Sequence, residues 1–191
     1  MPADWENSLY CRSPSFEQAN YRTALLSAIE TKCNFVAMLI FLDIDGVMVP
    51  AKGWKRPELL NDGFPAFSNK ATAALKRLVA EDTTVMLTTS HKSNYTLDEW
   101  KEIFRKRGIN IGKMKSLDSN LNNLSRKDEI LQWFEANNLS EDFIIIDDDK
   151  SLNALSDLLK KNLILTSPLI GLTDEHLQEI KTILHKGLQL A

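Results

Sequence analysis

Cysteine is scarce in this chain: Cys11 and Cys33 are the only two among 191 residues. Two cysteines build neither a disulfide framework nor a cysteine-based zinc site. A long apolar run is missing as well. The longest, residues 35–42, falls far short of the roughly 20 residues a membrane helix needs. Positive charge is not in excess either. The net charge of −3 gives no general footprint for a polyanion, though it is compatible with a local basic patch. There is no internal repeat or low-complexity tract, and residues 1–10 lack a signal-peptide pattern. These absences lead us to expect a cytoplasmic protein with reduced thiols and no membrane contact. A hydrophobic share of 43% and a charged share of 26% fit a globular chain, long enough for one domain with a sizeable core.

The chain is organised around Leu39-Ile40-Phe41-Leu42-Asp43-Ile44-Asp45-Gly46-Val47. An apolar run closed by a turn signal reads as a strand buried on both faces of a parallel sheet. Alternation along a strand sends Asp43 and Asp45 the same way, where the strand ends. Two acids side by side repel unless a cation or a proton lies between them.

Around this stretch, strands and helices alternate. Residues 1–14 read as an irregular arm, and about 15–32 as a helix with Tyr21, Leu25 and Ile29 on one stripe, packed on the core. Residues 47–67 carry three prolines and two glycines and fit no long element; loops of this length are usually functional or disordered. Within them Trp54, Lys55 and Arg56 form an aromatic and cationic trio suited to a phosphorylated substrate. A helix capped by Ser68 or Asn69 leads to a second strand, residues 83–87, ending in Thr88-Thr89-Ser90-His91-Lys92. A capping box at Thr96–Glu99 opens the next helix, which Gly108 stops. A short third strand is expected at residues 109–111 and a loop from 113 to 124. Ser125 caps a helix with Ile130, Leu131 and Phe134 inward. The fourth strand, residues 143–146, ends in Asp147-Asp148-Asp149. A helix with Leu152, Leu155 and Leu159 then leads to a fifth strand at 163–165, and Thr173 caps a last helix. This alternation argues for βαβ units with right-handed crossovers: an α/β, three-layer Rossmann-like fold with a five-stranded parallel sheet.

Three strands therefore end in chemistry: a carboxylate pair, a hydroxyl cluster and a carboxylate triplet. A parallel sheet brings all strand C-termini to one edge. Several carboxylates meeting there call for a hard divalent cation; Mg²⁺ takes a few protein oxygens and leaves positions for water and phosphate.

The motifs resemble those of the haloacid dehalogenase-like (HAD) superfamily of phosphohydrolases over residues 38–184. The first is Leu42-Asp43-Ile44-Asp45-Gly46-Val47, the second Val85-Met86-Leu87-Thr88-Thr89-Ser90, and the fourth Ile145-Ile146-Asp147-Asp148. Within the superfamily the chain is similar to the domain of Swiss Army Knife RNA repair proteins. That likeness rests on the Asp-rich fourth motif, on Arg126 and Lys127 before Glu129-Ile130, and on Gly171-Leu172-Thr173.

The resemblance implies sheet order 5-4-1-2-3 and an aspartyl-phosphate mechanism. Asp43 would be the nucleophile and Asp45 the acid and base. Thr88 or Thr89, with Thr89 favoured, would bind a phosphoryl oxygen. Lys127 or else Arg126 would supply the third-motif charge, with Lys113 and Lys115 as further candidates. Asp148 and Asp147 would hold Mg²⁺ (or Mn²⁺) with Asp43 and the main-chain carbonyl of Asp45. His91 is a candidate substrate contact. The gaps at 46–68 and 112–124 leave no room for a cap domain, so residues 35–191 are expected to form a capless catalytic domain after an N-terminal unit of residues 1–34. An open cleft suits a bulky phosphomonoester such as a nucleic-acid 3′- or 5′-phosphate, with a nucleotide or small metabolite as rival. Two other classes compete: a non-catalytic metal- or phosphate-binding domain of the same fold, and a receiver-like signalling domain. The Asp-x-Asp on the first strand disfavours the receiver. Oligomeric state is left open.

Overall fold

The computed structural model describes residues 38–51, 57–139 and 141–188, with side chains described as far as residue 184. Strands β1 (Met38–Leu42), β2 (Thr83–Leu87), β3 (Lys113–Ser116), β4 (Asp142–Asp147) and β5 (Leu163–Leu165) pair in parallel, in the order β3-β2-β1-β4-β5. This is the expected order read from the other edge. Helix α1 (Asn69–Leu78) follows β1, and α2 (Leu97–Lys106) follows β2. Beyond them lie α3 (Arg126–Ala136), a short α4 (Asp157–Lys160) and α5 (Asp174–Leu188).

Alternation along the strands sorts the core into two layers. Met38, Ile40 and Leu42 of β1 join Val85 and Leu87 of β2 under α1, α2 and α5. Leu39 and Phe41 join Met86 and Ile145 on the opposite face, under α3. There Phe41 meets Trp133 edge-on at 4.9 Å and Phe134 at 5.3 Å. Aromatic pairs at such separations contribute about 1 kcal/mol each beyond their burial, so they fix α3 over β1. That placement matters, because the first residue of α3 is Arg126. The caps follow the sequence: the hydroxyls of Ser68 and Ser125 accept main-chain N–H bonds, and Thr96 with Glu99 forms the capping box.

Two elements differ from expectation. The third strand is residues 113–116, not 109–111. The main-chain N–H of Ile109 still closes α2 by donating to Phe104, while Ile109 and Ile111 sink into the core before the strand begins. Lys113 and Lys115 are exposed on this edge strand, a common defence of an open sheet edge, and they hid it from the apolar pattern. The helix expected around Leu152–Leu159 is instead a 3₁₀ turn at Lys150–Ala154 and the separate α4. The arm and helix expected within residues 1–37 lie outside the described residues, as do Trp54, Lys55 and Arg56.

In the described part of the connection after β1, Leu59 bridges Pro65, with no longer element before α1. Arg107 anchors it, pairing with Asp62 at 2.8 Å and donating to the carbonyls of Pro65 and Phe64. Among the described residues no helix is long and apolar enough to cross a membrane.

Candidate active site

The sheet ladder runs to the ends of the central strands and one residue beyond β1 and β2, and the residues there carry the chemistry. Asp43 N–H donates to the Ile146 carbonyl at 3.0 Å, and Thr88 N–H to Leu42 at 3.0 Å. Thr166 N–H donates to the Asp147 carbonyl at 2.9 Å. Asp43, Thr88 and Asp147 are thus held side by side, each continuing the face that carries Phe41, Met86 and Ile145. All three are buried. The Thr88 hydroxyl donates to Asp147 Oδ2 at 3.4 Å.

After Asp43 the chain folds back at once. Met48 and Val49 both donate to the Ile44 carbonyl, and Gly46 turns with φ +71°. A Cβ on Gly46 would meet Asp148 Oδ2 at 2.1 Å, so glycine is what lets Asp148 approach the first strand. The same loop is braced by Leu172, whose N–H donates to the Val47 carbonyl. Gly171 makes that approach possible, since a Cβ there would lie 2.4 Å from the Val47 oxygen.

Arg126 binds the acids together. Its Nη2 donates to Asp43 Oδ1 at 3.2 Å, and its Nε lies 3.0 Å from Asp147 Oδ2. Nη1 donates to the Thr88 carbonyl and, at 3.1 Å, to Glu129 Oε2. Glu129 in turn receives Lys92 Nζ at 2.7 Å. Burial, then the neighbouring Asp147 charge, push Asp43 up to about 8 against the opposing pull of Arg126. Burial also raises Asp147 and Asp148.

A family model described as the HAD domain in Swiss Army Knife RNA repair proteins matches residues 39–177. The chain belongs to this family. No curated protein and no solved structure matches it. The matched span runs from the second residue of β1 past β5 and takes in all the acids of this HAD domain's strand-end cluster.

Members of the superfamily use Mg²⁺, and the donor set here fits such an ion. Asp43, Asp147 and Asp148 each offer a carboxylate oxygen, all within 4.8 Å of one another. Oxygen donors alone suit a hard divalent cation. With all of them ionised, the carboxylates of these three acids and of Glu129 would exceed the two cations Arg126 and Lys92 by two charges. One divalent ion would balance the difference.

The other candidate residues are placed as follows. The Asp45 side chain stands outside the group of three, 56% exposed, and pairs with His91 Nε2 at 3.0 Å. Asn94 Nδ2 lies 3.3 Å from Nδ1 of the same ring. The Thr89 hydroxyl accepts from the His91 N–H and so caps the 3₁₀ turn at Ser90–Asn94, whereas Thr88 is the threonine that touches an acid. Lys127 is not brought into the cluster; its ammonium pairs with Asp128 at 3.6 Å on the outer side of α3. Arg126 occupies the position for which Lys127 was preferred. Lys113 and Lys115 lie on the edge strand with exposed side chains.

Lys92 and Glu129 complete the network and were not among the expected site residues. Beside Arg126 opens a cavity of about 470 Å³, lined by Ser90, Ser93, Ser119, Asn120, Leu121 and Asp149 among others. That is within the range of small-molecule sites.

Proposed function

We propose that this HAD domain is a divalent-metal-dependent phosphohydrolase that cleaves a phosphomonoester through an aspartyl-phosphate on Asp43. The observation that carries the reading is the buried Asp43 carboxylate, set between Arg126 and the acids Asp147 and Asp148 at the end of β4. Asp43, Asp147 and Asp148, with the main-chain carbonyl of Asp45, would hold Mg²⁺. Bound there, the ion supplies positive charge that favours ionised Asp43 and withdraws electron density from the phosphoryl oxygens.

The chain's own residues do the rest. An oxygen of Asp43 forms a bond to phosphorus while the ester P–O bond breaks, and the leaving oxygen takes a proton from Asp45. Water then attacks phosphorus and gives a proton to Asp45, the bond to Asp43 breaks, and inorganic phosphate departs. The exposed position of Asp45, outside the acid cluster, suits a group that must reach leaving groups and water. His91 orients it through the 3.0 Å contact. Arg126 offsets negative charge that grows on the phosphoryl group beside Asp43. Thr88, one residue past β2 beside Asp43, supplies a hydroxyl that already donates to Asp147 and would serve a phosphoryl oxygen.

For substrate we favour a nucleic-acid 3′- or 5′-phosphate or a nucleotide. Support comes from the family's description as a domain of RNA repair proteins and from the cavity beside the site. The test is phosphate release from mononucleotides, sugar phosphates, phosphopeptides and 3′- or 5′-phosphorylated oligonucleotides, with and without Mg²⁺, beside Asp43→Asn. Mg²⁺-dependent release lost in the variant supports the reading, and preference for a nucleic-acid end supports the substrate. Mg²⁺ binding without turnover of any compound would move the assignment to a non-catalytic metal- or phosphate-binding domain.

A further inference from the structure

We propose that Glu129 and Lys92 are positioning residues, a buried relay that fixes the Arg126 guanidinium against Asp43 and Asp147; their effect on rate rests on the phosphohydrolase reading above. The geometry shows why Arg126 needs them. Its Nε lies 3.0 Å from Asp147 Oδ2 but is not aligned for a hydrogen bond. The bond to Asp43 is long, at 3.2 Å. The acids it serves therefore do not by themselves set the guanidinium plane. That task falls to Nη1, which donates to the Thr88 carbonyl and to Glu129 Oε2.

Glu129 lies three residues after Arg126, so the two share a face of α3. It would also be a further negative charge beside an acidic cluster. Lys92 answers this by binding the other carboxylate oxygen, at 2.7 Å, and turning Oε2 toward Arg126. Lys92 is itself well held. Its N–H donates to the Thr89 carbonyl at 3.1 Å, and its carbonyl accepts the buried Trp100 indole N–H at 3.3 Å. Its side chain is only 4% exposed, a rare place for a lysine. The relay thus carries the position of the β2 turn, across α3, to the guanidinium.

Stability alone does not account for this pair. Apolar residues of similar volume commonly replace a buried ion pair with no loss of stability, or with a gain. Removing one partner is different, because it strands a buried charge. Glu129→Leu alone is therefore expected to unfold the protein in part, and the informative variant is the double one, Lys92→Met with Glu129→Leu.

The experiment uses the full chain and two readouts. In metal-free protein, the ¹⁵N side-chain NMR signals of Arg126 are expected to be separate at Nη in the wild type, from restricted rotation, and averaged in the double variant. With Mg²⁺ and the best phosphate ester, kcat is expected to fall about 10²-fold, the size a small misplacement of a transition-state contact produces. KM should change less than about threefold, since the lost contact acts on the transition state. The melting temperature should be unchanged or higher. Unchanged Arg126 signals overturn the proposal, as does a double variant that keeps wild-type kcat, whatever its melting temperature. A wild type that cleaves no ester removes the activity reading, while the Arg126 signals still decide whether the relay positions the guanidinium.

Discussion

The Asp43→Asn variant should make the metal-free protein more stable at neutral pH while removing the proposed nucleophile. The Asp43 carboxyl has a pKa near 4 in the unfolded chain and about 8 in the fold, mainly from burial and then from Asp147. Between those values the native state holds a proton that the unfolded state has released. Stability is therefore greatest at the acid end of the window and falls as pH rises through it. The slope is about 1.4 kcal/mol per pH unit for one proton. From pH 5 to pH 7.5 this amounts to about 3 kcal/mol, or roughly 6–12 °C in melting temperature for a domain of this size. Asparagine keeps an oxygen to accept from Arg126 but carries no titrating proton. Variant and wild type should melt together near pH 5, and the variant should melt several degrees higher at pH 7.5. A residual slope should persist, because Asp147 and Asp148 are raised in the same direction. Adding Mg²⁺ at pH 7.5 should stabilise the wild type more than the variant. Thermal melts by circular dichroism in chelator, then in Mg²⁺, give all of these values. A metal-free wild type whose melting temperature is flat or rises from pH 5 to pH 7.5 would refute the reasoning.

Three further outcomes are expected. Gly46→Ala places a Cβ against Asp148 at a positive φ, so it should cost about 1–2 kcal/mol and weaken Mg²⁺ binding at least about tenfold; calorimetric titration giving wild-type affinity would contradict the role assigned to Gly46. Arg107→Met strands Asp62 and removes the anchor of the loop after β1, at about 3–5 kcal/mol by urea unfolding, and a loss under about 1 kcal/mol would show the anchor to be dispensable. His91→Ala should slow alkyl phosphates about tenfold more than an aryl phosphate with a good leaving group, because a good leaving group needs little help from an acid; equal slowing would remove His91 as the partner of Asp45.

Four strands were legible because their apolar runs are continuous, and three of them end in the residues that meet at the site. β3 was not, because its lysines face solvent while the conspicuous Ile109 and Ile111 fill the core ahead of it. Asp43, Asp147 and Asp148 were readable from the common edge of a parallel sheet. Alternation misplaced Asp45, which was expected to point the same way as Asp43: the strand ends at Leu42, the chain turns back on the Ile44 carbonyl, and the Asp45 side chain faces outward. The choice between Arg126 and Lys127 was not readable. Neighbours on a helix point about 100° apart, and only the packing of Trp133 and Phe134 on Phe41 decides which one turns inward. Thr88 and Thr89 posed the same question at the end of β2, where the sheet register sets Thr88 beside Asp43 and Asp147. The bond between Lys92 and Glu129 joins residues 37 positions apart, and no local spacing announces it.

The central claim is that Asp43 becomes phosphorylated during turnover. It is tested most directly by quenching the wild type with borohydride while it turns over its best phosphate ester in Mg²⁺, then sequencing the β1 peptide by mass spectrometry. Borohydride reduces an aspartyl-phosphate to homoserine. We expect homoserine at position 43, dependent on substrate and absent without Mg²⁺. Intact Asp43 during demonstrated turnover, or homoserine at another acid, would contradict the account.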